Sequence, residues 1–296
     1  IEDDNTRALS LQSGDVDMVQ GIRAGDIALF TDNKDYIVKT TTGTRIEFMT
    51  MNTVKAPLSD KNLRLAINSA VDYETIAKVV GGGAVAARAP FPASAPYGYD
   101  ELNKQTFDLE KTKSLLAEAG YKDTNNDGYV DKDGKNLEIN VYGTAGGNTR
   151  ANSTVAELLE SQLKTAGIKA NIKIAENLDE IKKNGEFDLL FQNWQTVSTG
   201  DSQWFLDNAF KTGGSGNYGK YSNKKLDDLI NKLATTFDVK EREKITKEAS
   251  QIIIDEGYGT YIVSQANVNV SNNKVENMHN FPIDYYFLTV DTKINK

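Results

Sequence analysis

The stretch Phe187–Leu206 reads FDLLFQNWQTVSTGDSQWFL. Its first eight residues carry Phe187, Leu189, Leu190, Phe191 and Trp194, so apolar side chains fall on both parities. A strand with one wet face alternates apolar and polar. A nearly continuous apolar run suits a strand covered on both faces. Trp194 closes the run. A polar loop with Gln195, Thr196, Ser198 and Thr199 then leads to a helix near Asp201. Open α/β sheets bind ligands at the carboxyl ends of their strands. An indole there offers a flat apolar wall, and nearby hydroxyls and amides offer hydrogen bonds. The residues alone allow equally that Trp194 is core and the loop is solvated.

Working outward, LEINVYG at 137–143 reads as a strand and NSTVAELLESQLKTAGI at 152–168 as a helix. Val155, Leu158, Leu159 and Leu163 give that helix one apolar side. KANIKIA at 169–175 alternates as a strand, and LDEIKKNGEF is a short helix. Helices are expected in 201–210, 223–237 and 239–257, with a strand returning at 259–271. Before this block, PLSDKNLRLAINSAVDYETIAKVVGGG at 57–83 reads as two helices, the second capped by Asp72 and closed by Gly81–Gly83. ARAPFPASAPYGYDE at 87–101 carries Pro90, Pro92 and Pro96 and is expected to be an extended loop. DLEKTKSLLAEAGY is a helix capped by Asp108 and stopped at Gly120. At the start, a helix, a short strand in VDMVQGI and separate strands in YIVKTTT and RIEFMTMN are expected.

The class is α/β. A compact unit at 43–258 is flanked by 1–42 and 259–296, neither of which has the apolar residues for a core of its own. The expectation is that the flanks are two parts of one discontinuous, incomplete domain and that the sequence is an interior segment of a longer chain.

Composition excludes several functions. The net charge is −8 without a basic stripe, which argues against nucleic acid. Apolar runs are too short to span a membrane as a helix. With no Cys, disulfides, zinc thiolates and a Cys nucleophile are excluded. The single His, His279, sits in the loop-like VENMHNFP, so neither a His-rich nickel or zinc site nor a Ser-His-Asp hydrolase fits.

Three other stretches could carry chemistry. DTNNDGYVDKDG at 123–134 begins like a calcium loop, with Asp123, Asn125 and Asp127 on alternate positions and Gly128 at the turn. Its twelfth position is Gly134, where a calcium-binding helix–loop–helix needs a bidentate Glu. At most a structural calcium is expected there, with Asp131 as a further ligand and no other cofactor; the alternative is a polar turn. Asn217 and Tyr218 in GSGNYGKYSN are candidates for ligand contact, against a plain loop before a helix capped by Asn223. Arg88, with the PFPASAPYGY segment, is the other rim candidate, because a guanidinium can grip a carboxylate through two parallel bonds. Arg64 is expected in a structural ion pair with Asp60 or another acid.

PLSDKNLRLAINSAVDYETIAKVV, FDLEKTKSLLAEAGY, FDLLFQNWQTVSTGDSQWFL and GNYGKYSNKKLDDLI, in that order, resemble the C-terminal half of the extracytoplasmic solute-binding proteins of ABC importers, the peptide/nickel family 5. The resemblance covers nearly the whole chain. It implies a type II periplasmic-binding-protein fold, or Venus flytrap, with one complete lobe at 43–258 and part of a second at 1–42 and 259–296. It implies no enzyme but a monomeric receptor that captures a peptide or a nickel chelate and delivers it to a membrane permease. The location implied is extracytoplasmic, as a Gram-positive-type lipoprotein or in a periplasm. Trp194 matches the family's strand-end Trp beside the ligand cleft. Peptide-binding members carry an acid just after that Trp for the ligand's amino group; Gln195, Thr196 and Val197 stand there instead. Asp201 matches an Asp expected to cap the next helix. Outside this class, a calcium-dependent adhesion module resting on Asp123–Asp131 and an enzyme of unrecognised type are the alternatives.

Overall fold

The computed structural model describes residues 1, 4–22, 24–146 and 152–295. The helices are α1 (Asp4–Ser13), α2 (Ala28–Thr31), α3 (Lys61–Ala70), α4 (Tyr73–Val80), α5 (Leu109–Glu118), α6 (Ser153–Thr165), α7 (Asp179–Asn184), α8 (Gln203–Ala209), α9 (Lys224–Thr235) and α10 (Val239–Asp255). Their starts follow the polar residues that precede them. Asp60, Asp72, Asp108, Asn152, Asn223 and Asp238 each accept a backbone N–H of the first turn that has no partner inside the helix.

The strands are β1 (Met18–Gln20), β2 (Tyr36–Met51), β3 (Val85–Ala86), β4 (Asp131–Lys132), β5 (Lys135–Asn136), β6 (Glu138–Gly143), β7 (Lys169–Ile174), β8 (Leu189–Gln195), β9 (Gly259–Asn272), β10 (Val275–Glu276) and β11 (Lys293–Ile294). Among the described residues one seven-stranded sheet has the order β1-β9-β2-β8-β6-β7, with β3 also on β9. β6 runs parallel to β7 and β8, while β2 is antiparallel to both β8 and β9. The two N-terminal stretches expected as separate strands, YIVKTTT and RIEFMTMN, form the single strand β2. Its register on β9 steps between Thr42 and Ile46, so the chain bends there without breaking the ladder. The division at 42/43 falls on this step.

Helices cover both faces of β8. On one side Met49, Met51, Leu189 and Phe191 pack with Leu63, Ile67, Leu159 and Leu163 from α3 and α6. On the other, Ile46, Phe48 and Tyr261 pack with Phe205, Leu226, Ile230 and Ile253 from α8, α9 and α10. Of the other parity of β8, Leu190 packs with Leu178, Phe187 and Ile181 beside α7, and Trp194 packs against the second cluster, which is why β8 is apolar on both parities. A third, smaller cluster joins Ala8, Leu11, Val19, Ile22 and Phe30 to Val268 and Val270, so the two flanks share one core.

One sequence expectation changes. The Pro-rich segment is no rim: Phe91 and Tyr97 are 3% and 6% exposed and pack edge-on, Phe91 also against Phe205. Its apolar side chains join a core that no local pattern announces. Arg64 forms the expected structural ion pair with another acid, Glu256 at 4.0 Å, while the Asp60 carboxylate caps α3; its guanidinium donates to the carbonyls of Leu58, Ser59 and Glu256. The calcium-like residues bond to one another and to their own loop. Asp131 is 4% exposed and accepts from Thr124 N and Oγ1, Asp127 accepts from Asn125, Tyr129 and Asn136, and Asp123 accepts from Gly128 N. Among the described residues no three His, Asp or Glu side chains are grouped to hold a metal ion.

The loop after β8 is anchored from α10. Arg242 grips both oxygens of Asp201, at 2.9 and 2.6 Å, and donates to the carbonyls of Leu233 and Thr236, each at 2.6 Å. Asp201 in turn accepts Gln203 N, the first N–H of α8, while Ser202 stands at the N-cap position expected for Asp201. Arg242→Ala removes the clamp and both carbonyl caps together. A loss of about 2–3 kcal/mol is expected, read as a lower urea midpoint with an unchanged slope. A midpoint within error of the parent would show that the clamp is energetically idle.

Candidate functional site

β8 reaches water only at its carboxyl end. Leu189 to Asn193 are buried; Trp194 is the first residue to be part-exposed. Its indole lies 5.7 Å from the Trp204 ring and 6.0 Å from Phe205, both on α8. Gly216 closes the other side: a Cβ there would stand 2.4 Å from Trp194 Cη2. The ring is therefore a wall held between a helix and a glycine turn. Its Nε1 is buried and has no partner among the described residues, so one donor remains unused there.

This wall bounds a cavity of about 200 Å³ lined by Arg45, Trp194, Gln195, Trp204, Asn208, Ser215, Gly216, Tyr218 and Tyr285. Of the residues expected from sequence, Trp194, Gln195 and Tyr218 meet here. Tyr218 is part-buried with Lys182 over its ring at 5.0 Å. Burial, with the Asp179 charge adding to it, pushes its phenol up, so it stays protonated and able to donate.

Other candidates brace the wall from behind. Thr196 is 1% exposed and donates to the Thr44 carbonyl at 3.0 Å. Asn217 is 5% exposed and uses its amide on Lys211 O, Tyr221 O and Tyr221 N, which fixes the loop carrying Tyr218. Ser198 is part-exposed and Thr199 exposed, and neither lines the cavity. Arg88 is remote from it and faces Glu74 of α4 at 3.6 Å.

Sequence reasoning missed Arg45, Asp284, Trp204 and Tyr285. Arg45 Nε meets Asp284 Oδ2 at 2.7 Å, and Asp284 Oδ1 accepts from Gln195 Nε2 at 2.9 Å. Gln195 also accepts the Thr44 hydroxyl. Arg45 and Asp284 are 239 positions apart, so no local pattern couples them. Trp204 was within the decisive stretch; two Trp ten residues apart across a strand end and a helix start was the available signal.

Three comparisons agree. The model of "Bacterial extracellular solute-binding proteins, family 5 Middle" matches residues 1–217. The nickel-binding protein NikA of Staphylococcus aureus is 28% identical over 298 residues, covering 100% of this chain and 58% of its own length. The oligopeptide-binding protein AppA of Bacillus subtilis is 29% identical over 259 residues, covering 85% of this chain and 46% of AppA. The chain thus spans about half the length of these relatives. In structure, S. aureus NikA in complex with Ni(L-His)2 superposes with TM-score 0.79 at 27% identity, over 100% of this chain and 61% of that one. B. subtilis AppA in complex with a nonapeptide gives TM-score 0.82 at 25% identity, over 100% of this chain and 59% of that one. These relatives are binding proteins by name, not enzymes.

Gly216→Ala tests the wall directly. The new methyl cannot coexist with the present indole position, so the ring must move toward solvent. Tryptophan emission in a Trp204→Phe background should shift to longer wavelength, with stability lower by about 1–3 kcal/mol. An unchanged spectrum would mean that Gly216 does not set the ring.

Proposed function

The chain belongs to the bacterial extracellular solute-binding proteins, family 5, and from that premise we propose that it is the ligand-holding part of an ABC importer's extracytoplasmic receptor. The observation that carries this is the half-exposed indole of Trp194 at the end of a doubly covered strand, with an unpaired Nε1 and a cavity beside it. Residues 43–258 form one ligand-binding lobe. Residues 1–42 and 259–296 form part of the other, and they sit on the same sheet through β2 and β9. Contacts from a solute to both lobes favour the closed arrangement, which is the state handed to the membrane permease. The receptor works as a monomer outside the cytoplasm, lipid-anchored or periplasmic.

The solute is a short peptide or a nickel chelate. A bare nickel ion lacks soft or imidazole ligands here. The chain has no Cys, and its one His, His279, is exposed and set against Asp291 at 3.1 Å. Nickel would have to arrive inside a chelator whose organic surface the aromatic wall can cover. Calcium in the Asp123–Asp131 loop would be structural and separate from capture.

The protein's two Trp are Trp194 and Trp204, and both line the cavity. Intrinsic fluorescence therefore reports the site without a label. Titration with dialanine, and separately with Ni(II) plus L-histidine, should change the emission saturably for at least one. Trp194→Ala should weaken that binding by about ten- to hundredfold, the equivalent of roughly 1.4–3 kcal/mol of lost aromatic contact. Saturable binding that survives Trp194→Ala unchanged would place capture elsewhere and end this proposal.

A further inference from the structure

Strand β7 is the last strand of the sheet, and among the described residues only β6 pairs with it. The ladder to β6 starts with Lys169 N on the Leu137 carbonyl and ends with Ala175 N on the Gly143 carbonyl. In such a ladder alternate residues bond to the same neighbour. Ala170, Ile172 and Ile174 therefore turn their N–H and C=O groups outward, off the sheet. A row of open backbone groups is a template for one more strand.

Lysine commonly guards such an edge. The two lysines of β7 are spent on the face away from α6: Lys169 pairs with Glu138 at 2.8 Å, and Lys173 lies over the Tyr142 ring at 5.1 Å. The face toward α6 is apolar. Ala170 and Ile172 join the main core, while Ile174 is 55% exposed. There the edge opens on a groove of about 490 Å³ between β7 and α6. Its apolar floor is Ala156, Ile172 and Ile174, and its charge comes from Glu157 and Glu160, about one turn apart on α6 and both exposed. Among the described residues no Lys or Arg lines it. Antiparallel pairing of two copies of β7 would bring both α6 helices and four carboxylates onto one face, so a second copy of this chain is a poor occupant.

We infer that this edge and groove dock an extended segment of another protein, one whose inner side sets a Lys or Arg between two apolar residues. Its backbone pairs with Ala170, Ile172 and Ile174. Its apolar side chains rest on Ala156 and Ile174, and its cation meets Glu157 and Glu160. Main-chain pairing supplies the affinity, and the two carboxylates set the preference for a basic partner. The surface is separate from the Trp194 wall: β6 lies between β7 and β8, and no residue lines both cavities. The lobe thus has one face for a solute and another for a protein partner, and the second does not depend on the first.

A fluorescein-labelled heptapeptide TVTKTVT, capped at both ends, presents valine, lysine and valine on one side of a strand. Its anisotropy should rise saturably with added protein, and TVTETVT should bind at least tenfold more weakly. Glu157→Lys combined with Glu160→Lys, both at exposed positions, should reverse that order. Methylating alternate backbone nitrogens of TVTKTVT should abolish binding in one phase and spare it in the other, because a strand on an edge uses every second N–H. Hydrogen exchange should slow at the amides of Ala170, Ile172 and Ile174, while emission from Trp194 and Trp204 stays constant at saturation. A changed emission would place the peptide in the solute cavity and overturn the inference. So would equal binding of the two peptides, equal tolerance of methylation in both phases, or no binding at millimolar concentration. A dimer in sedimentation with those three amides already protected would overturn it in favour of a second copy.

Discussion

The backbone of β8 lies between an antiparallel neighbour, β2, and a parallel one, β6, and helices pack on both of its faces. Under that double cover a side chain of the strand can meet solvent only where the helices end. The rest of the site follows from this constraint. Trp194 is the first residue past the cover, and its indole leans on α8, which begins nine residues on, after a turn pinned by Asp201 and Arg242. The wall is stiff because its supports are core: Phe205 is fully buried and touches Phe48, Phe91, Phe210 and Trp194 in one aromatic group.

β2 and β9 carry a second consequence. Both run the length of the sheet, from the flanking cluster of Phe30, Val268 and Val270 to the main cores. Their register steps between Thr42 and Ile46 and again between Glu47 and Phe48. Arg45 lies inside the first of these steps, pairs with Asp284 and borders the cavity beside Trp194.

The helices were legible because each announces itself locally. Asp60, Asp72, Asp108 and Asn223 cap where a polar residue precedes an apolar period, and glycine follows where a helix stops. Strand β2 was misjudged as two because Gly43 and the run of Thr around it look like punctuation. Pairing along β9 on one side and β8 on the other overrides that weak local preference. The Pro-rich segment was taken for a rim because proline excludes helix, but proline says nothing about burial. Phe91 and Tyr97 are drawn in by α8, which no window around residue 91 contains.

What the sequence determined by itself was the main helices, the apolar strand β8 and the place of Trp194 at its end. Those depend on periodicity and on neighbours within a turn or two. It also carried the family resemblance, because four motifs in order survive where single residues vary. Only the tertiary structure decided which polar residues face the cavity and which support it. Thr196 and Asn217 have the chemistry of ligand contacts, yet their donors are consumed by Thr44, Lys211 and Tyr221. Arg45 and Asp284 have no motif, yet the fold brings them within 2.7 Å. A hydrogen-bonding group is available to a ligand only if the fold leaves it unpaired, and pairing between distant segments is set by how the sheet assembles, not by the residues beside it in the chain.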